Sequence, residues 1–123
     1  MLGEIYLEQK DYARADESFT QVLGVKEWKP LWPQALYGRG ECARAQKQFD
    51  KAAACYERIY VMYGGYAKWV PRAYFARAGC LVRMGKIREA RETLEEMLKV
   101  PDIDQAPEAA DARALLEELK QRV

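Results

Sequence analysis

The feature that most limits what this chain can fold into is a pattern repeated every 37 or 38 residues. Ala15, Ala52 and Ala90 stand in equivalent settings 37 and 38 residues apart, and Pro33 and Pro71 are also 38 residues apart. Pro107 follows after a further 36 residues, and three alanines and three arginines align when the prolines are superposed: Ala35, Ala73, Ala109, Arg39, Arg77 and Arg113. A fixed period of this length predicts a stack of similar supersecondary units.

Each unit has the pattern of two amphipathic helices joined by a short turn. A large apolar or aromatic residue follows each of the three alanines by four positions, one helical turn along the same face. Glycine inside a helix costs about 1 kcal/mol relative to alanine, so Gly3 and Gly40 indicate close approach of a partner helix. Pro33 and Pro71 are expected at the first helical position, where a missing N–H costs nothing. We predict one domain, 1–123, with a truncated first repeat (1–25), a second (33–64), a third (71–100) and a terminal helix (107–122).

The first unit carries the residues of a known repeat. The tetratricopeptide pattern of a Leu-Gly pair, then Tyr, Ala and Phe, is matched by Leu2-Gly3, Tyr6, Ala15 and Phe19, and partly again by Gly40, Ala52 and Tyr56. The chain therefore resembles the tetratricopeptide repeat family over essentially its whole length. The resemblance implies an all-α fold, a right-handed α-solenoid of about three helix-turn-helix units with a C-terminal capping helix. The period exceeds the usual length of about 34 residues, and Trp-x-Pro or Trp-Pro precedes the repeats. In these two features the chain resembles bacterial cell-envelope members of the family.

The two ends of the chain differ from the middle. The first helix lacks its opening turn or two, so we expect the chain to be part of a longer protein. The last helix shows a single apolar stripe, formed by Ala110, Ala114, Leu115 and Leu119. It is either a cap or the first helix of a further repeat, and we favour the cap because arrays of this kind need a polar-faced end unit.

The composition argues against several kinds of function. The chain has 20 basic and 19 acidic side chains and a net charge of +1, so no basic surface for nucleic acid is expected. No run approaches the length of a membrane span, about 18 apolar residues. The compartment stays open between the cytoplasm and the bacterial cell envelope.

Catalytic and metal-binding patterns are also missing from the sequence. There is no histidine, which removes the usual base of a catalytic triad. Cys42, Cys55 and Cys80 lack the spacing of a zinc site, and we expect them to be buried or half-buried thiols. We therefore predict no enzyme activity, no cofactor and no metal.

The residues that helical spacing places toward a concave surface suggest what this chain binds. In the family, the first helix of each pair lines a groove that holds an extended peptide or a partner helix. Here the spacing selects Tyr37, Glu41, Arg44, Arg72, Phe75, Val82 and Arg83. Aromatic side chains supply rigid contact area, and arginine forks suit carboxylates. The hypothesis is a groove that binds a protein or peptide segment with acidic or C-terminal carboxylate character.

Two other functions remain open. The chain could be a structural array that self-associates, with exposed end helices or the tryptophans of the inter-repeat loops (Trp28, Trp32 and Trp69) at the seam. These tryptophans are otherwise expected to cover the adjoining helix ends. The third alternative is RNA binding, because some helical-pair repeats read RNA, although the balanced charge argues against it.

Overall fold

A computed structural model describes residues 1–122 and contains seven α-helices within that range. They are α1 (Leu2–Glu8), α2 (Tyr12–Leu23), α3 (Trp32–Ala45), α4 (Phe49–Met62), α5 (Trp69–Arg83), α6 (Ile87–Met97) and α7 (Glu108–Lys120). Two short 3-10 helices, Lys26–Leu31 and Ile103–Gln105, precede α3 and α7. The predicted all-α class is confirmed.

The helices pack in chain order, which is the arrangement of an α-solenoid. Each helix contacts the next one along the chain, from α1 with α2 to α6 with α7. The first helices of the pairs also contact one another, α1 with α3, α3 with α5 and α5 with α7. Three hydrophobic clusters follow along the stack, centred on Phe19, Tyr56 and Leu94, all of which are fully buried. The predicted solenoid is therefore confirmed.

Small residues mark the closest contacts between helices, as the sequence predicted. A methyl group at Gly3 would lie 2.7 Å from the Phe19 ring, and one at Gly40 would lie 2.5 Å from the Tyr56 ring. Gly38 is in a tighter position still, because its missing methyl group would overlap the Phe19 ring of the preceding pair. The alanines at the repeated position, Ala15, Ala52 and Ala90, are completely buried.

Two of the aligned arginines, Arg39 and Arg77, join the first helix of one pair to the second helix of the preceding pair. The Arg39 Nε lies 3.1 Å from Asp16 of α2, and an Arg77 terminal nitrogen lies 3.4 Å from Glu57 of α4. Arg77 also donates to the Oγ1 of Thr93 at 2.8 Å, so this buried hydroxyl is satisfied. These contacts account for an arginine at the same position of successive first helices.

The first helices begin earlier than the sequence predicted. α3 starts at Trp32 and α5 at Trp69, so Pro33 and Pro71 occupy the second and third helical positions instead of the first. Proline fits there because the N–H groups of the whole first turn have no intrahelical acceptor. The expectation that Trp32 and Trp69 lie in loops is corrected in the same way, since both residues open helices.

The apolar stripe predicted for the last helix was partly wrong. α7 buries Ala109, Ala112, Leu116 and Leu119, whereas Ala110 and Ala114 are exposed. When the prolines are superposed, Ala114 aligns with the small residues Gly40 and Ala78. This alignment suggested a buried position for Ala114. Gly40 and Ala78 are covered by the second helix of their own pair, while α7 packs through one face against α5 and α6.

The turns inside the pairs contain a strained position, which gives a first test of the fold. Lys10 and Lys47 adopt φ of 60°, and Gly85 holds the corresponding place in the third pair with φ of 77°. We expect Lys47→Gly to raise the free energy of unfolding by about 0.5–1 kcal/mol, because only glycine adopts this conformation without steric cost. Urea denaturation measures the change.

The matched control for this prediction is Lys51→Gly. Lys51 is exposed within α4, where glycine should lower the free energy of unfolding by about 1 kcal/mol. Destabilisation of similar size by both substitutions would show that the turn at Lys47 does not adopt the left-handed conformation.

Candidate functional site

The first helices form a continuous inner layer, and the surface of this layer is the candidate site. Two hollows lie on it. One is a hollow of about 580 Å³ at the C-terminal ends of α1, α3 and α5, and the other is a hollow of about 380 Å³ between α3, α5 and α7. Arg44 and Gly79 line both hollows, so they form one surface, which we call the inner groove.

The first hollow, here called the Arg83 hollow, has four cationic and two acidic side chains in its lining. Lys10 and Lys47 come from the turns after α1 and α3, and Arg83 is the last residue of α5. The Arg83 guanidinium lies 4.8 Å from the centre of the Phe49 ring, a cation–π arrangement. Arg44 is the fourth cation of this hollow. Glu8 and Glu41 are the acidic residues in the lining of the hollow.

The second hollow, here called the Arg72 hollow, has both signs of charge. Arg44 and Arg72 face Glu108 and Asp111, which α7 contributes, while Tyr37 and Phe75 supply the aromatic lining. The Arg72 Nε lies 3.8 Å from Glu108, and its guanidinium lies 5.2 Å from the Trp69 ring. α7 therefore closes this end of the inner groove with carboxylates.

A buried tyrosine holds the central part of the inner groove in place. The Tyr56 hydroxyl donates to the Oε1 of Glu41 at 2.5 Å, and the Oε2 of Glu41 accepts from Arg44 at 2.7 Å. Burial, followed by the hydrogen bond to Glu41, raises the pKa of Tyr56 above its ordinary value. The hydroxyl consequently stays protonated and keeps donating at neutral pH, which fixes the carboxylate beside Arg44.

Tyr37 and Phe75, the two aromatic residues predicted for the groove, are more buried than a free binding surface requires. Tyr37 packs between Tyr56 and Trp69, with ring centres 5.3 and 5.6 Å away. Burial is the main cause that raises the pKa of Tyr37. Phe75 is half-buried against the third hydrophobic cluster. Each ring therefore offers an edge to the inner groove and uses the rest of its surface for packing.

Six of the seven predicted binding residues line the inner groove. They are Tyr37, Glu41, Arg44, Arg72, Phe75 and Arg83. Val82 lines neither hollow and packs instead against the hydrophobic cluster shared by α5, α6 and α7. Its neighbour Arg83 faces the inner groove, since adjacent residues point about 100° apart around a helix.

Sequence reasoning missed several lining residues outside the first helices. Lys10 and Lys47 lie at equivalent turn positions 37 residues apart, so the repeat period could have identified them together. Phe49 opens the second helix α4. Glu108 and Asp111 enter the site only because α7 packs on α5, which no local pattern in the sequence reveals.

The cysteines are structural, as predicted. Cys42 and Cys80 are buried and Cys55 is half-buried. Burial is the main cause that raises the pKa of the Cys42 and Cys80 thiols to about 11. Both thiols are therefore neutral at physiological pH and poor nucleophiles. Within residues 1–122, no cluster of acidic and sulfur side chains has the arrangement of a metal site.

A helix that spans a membrane must be both long and apolar. None of the helices in the described part of the chain combines the length and the apolar character needed to cross a bilayer.

Comparison with known families agrees with the repeat seen in the structure. Residues 1–67 match one model of the tetratricopeptide repeat, and residues 71–101 match a second model of the same repeat. Comparison with curated proteins gives no significant match. Tetratricopeptide repeats generally mediate protein–protein interaction or scaffolding, and they are typically not enzymes. The helix pairs, the small residues at their contacts and both matches agree: the chain belongs to the tetratricopeptide repeat family.

Proposed function

We propose that this chain is a non-enzymatic protein-interaction module that holds a peptide segment or a helix of a partner in the inner groove. The observation that carries the proposal is the continuity of the two hollows, which share Arg44 and Gly79. Both aromatic rings and cations line this surface. That combination suits a polypeptide, which offers both apolar side chains and hydrogen-bond acceptors.

Gly79 provides a way to close the inner groove without disturbing the fold. A methyl group added at Gly79 meets no atom within 4 Å, so a larger side chain there projects into open space. Alanine substitution of Tyr37 and Phe75 is a less direct probe, because both rings pack against the core. Gly79→Met is therefore the variant of choice.

The test begins with a display library of random peptides of about twelve residues, selected on the immobilised chain. The peptides that are enriched are then labelled, and their Kd is measured by fluorescence polarisation. We expect Gly79→Met to weaken binding at least about tenfold, because its side chain occupies the junction of the hollows. The variant should melt at the wild-type temperature or slightly higher, because a glycine in a helix is being replaced.

The matched control is Ala54→Met, an exposed position of α4 outside both hollows. It should bind the selected peptides with the wild-type Kd. Equal Kd values for Gly79→Met and wild type, with the fold intact, would remove the inner groove as the binding surface.

A second candidate function is self-association. An apolar hollow of about 310 Å³ lies at the other end of the stack, lined by residues of α1, α2 and the first 3-10 helix. Leu2, Trp28 and Leu31 are 55%, 47% and 41% exposed there. Sedimentation of the free chain over a range of concentrations distinguishes this alternative, because a self-associating array gains mass without any ligand.

RNA binding is less well supported than either function. Arg44 and Arg72, two of the cations on the inner groove, already face the carboxylates of Glu41 and Glu108. Cations paired in this way contribute less to the counterion release that drives nucleic-acid binding.

A further inference from the structure

The cations of the inner groove are not equivalent, because some have a carboxylate partner and others have none. Arg44 pairs with Glu41 at 2.7 Å, and Arg72 pairs with Glu108 at 3.8 Å. Within residues 1–122, Arg83, Lys10 and Lys47 take part in no salt bridge. Glu8 is the one acidic residue of the Arg83 hollow without a salt bridge in the described residues, so three unpaired cations face one unpaired carboxylate there, and the unpaired charge at this hollow is positive.

The opposite end of the inner groove differs in charge, because one of its carboxylates has no cationic partner among the described residues. Glu108 and Asp111 line the Arg72 hollow, and Asp111 takes part in no salt bridge in the described part of the chain. Arg44 and Arg72 balance the two carboxylates in number. An incoming acidic residue would meet an unpaired carboxylate here, and like charges brought together at an interface cost several kcal/mol.

We propose that the inner groove selects a partner segment with an asymmetric charge, placing Asp or Glu side chains at the Arg83 hollow and uncharged or basic ones beside Asp111. This inference rests on the proposed function and adds the chemistry of the partner to it.

The geometry around Arg83 makes it the main anchor for the acidic part of such a segment. The guanidinium lies over the Phe49 ring and has no carboxylate partner in the described residues, so its N–H groups remain available to a carboxylate in the fork arrangement. Lys10 and Lys47 border the same hollow and add positive charge without competing for that geometry. Arg72, another cation predicted for the groove, is already engaged with Glu108 and Trp69.

The experiment uses the same library of random peptides, selected separately on the wild-type chain, on Arg83→Glu and on Arg88→Glu. Arg88 is the matched control, because it is 92% exposed on α6 and lines neither hollow. We expect the wild type and Arg88→Glu to enrich peptides whose acidic residues cluster in one half. Arg83→Glu should lose this enrichment and bind the wild-type peptides at least about tenfold more weakly.

Asp111→Lys tests the other end of the inner groove. This substitution replaces the unpaired carboxylate with a cation, so selected peptides should become acidic along their whole length. Arg83→Gln is the neutral second variant, and it should show the same loss of acidic bias if Arg83→Glu fails to fold.

The outcomes separate this inference from the function on which it rests. Peptides that lack an acidic bias but lose binding with Gly79→Met would overturn the charge asymmetry and leave the inner groove as the binding surface. An acidic bias that Arg83→Glu and Arg83→Gln both leave unchanged would also overturn it. If the wild-type chain enriches no peptide, or if Gly79→Met binds every selected peptide with unchanged Kd, both proposals fail.

Discussion

Ala52→Glu should abolish the cooperative unfolding transition of this chain. Ala52 has no exposed surface and lies in the central hydrophobic cluster with Leu36, Tyr56 and Ile59. A carboxylate at this point would be buried without a partner, at a cost of roughly 3–5 kcal/mol or more. A domain of this size has a total stability of about 5–15 kcal/mol. The central pair also joins the units on either side, so its loss propagates along the stack.

The matched control for Ala52→Glu lies two residues further along α4. Ala54 is exposed, and Ala54→Glu should change the free energy of unfolding by no more than about 0.5 kcal/mol. Circular dichroism during heating measures both variants. A sharp transition for Ala52→Glu at the temperature of Ala54→Glu would mean that the repeated alanine does not lie at the helix–helix contact.

The repeated alanine also explains why so much of the fold was predictable from the sequence. Ala15, Ala52 and Ala90 recur because each allows two helices of a pair to approach, and a residue limited by contact distance leaves a visible period. The large residue four positions later, Phe19 or Tyr56, fills the space beside that contact and is equally buried. Where one physical constraint acts on every unit, the same type of residue recurs at the same position of each repeat.

The errors arose where residues at equivalent positions of the repeat have different surroundings in the structure. α7 has no second helix packed against Ala114 in the described chain, so the repeat alignment assigned a buried role to an exposed residue. The helix starts were displaced because a proline is acceptable anywhere in a first turn, and its position alone does not identify the first residue.

The candidate site was predictable in its residue types and less so in its pairing. Helical spacing placed Arg44, Arg72 and Arg83 on one surface, and each lines the inner groove. Which of them remains available to a ligand depends on Glu41 and on Glu108, and Glu108 is brought to Arg72 by the packing of α7. Glu41 lies three residues before Arg44 in the same helix, so that pair can be read from the sequence, whereas the Arg72–Glu108 pair depends on a contact between α5 and α7 that no local pattern contains.

Gly38→Ala should destabilise the chain, although the same substitution in an exposed helix stabilises it. Gly38 of α3 lies against the ring of Phe19, which Gly3 of α1 contacts as well. An added methyl group would overlap this fully buried ring and must displace it. Overpacking of this kind costs about 1–3 kcal/mol, more than the gain of about 1 kcal/mol expected from replacing glycine in a helix.

Three further variants isolate the contact between Gly38 and Phe19. Gly79→Ala in α5 is the control, because its methyl group meets no atom within 4 Å, and it should raise the free energy of unfolding by about 1 kcal/mol. Phe19→Leu removes the ring atoms that the new methyl group would overlap. Its combination with Gly38→Ala should therefore cost less than the sum of the single changes, with a coupling energy of about 1 kcal/mol. Urea denaturation of the four chains completes the cycle. Additive costs would place the Phe19 ring away from Gly38, and the contact between the first two helix pairs would then need a different account.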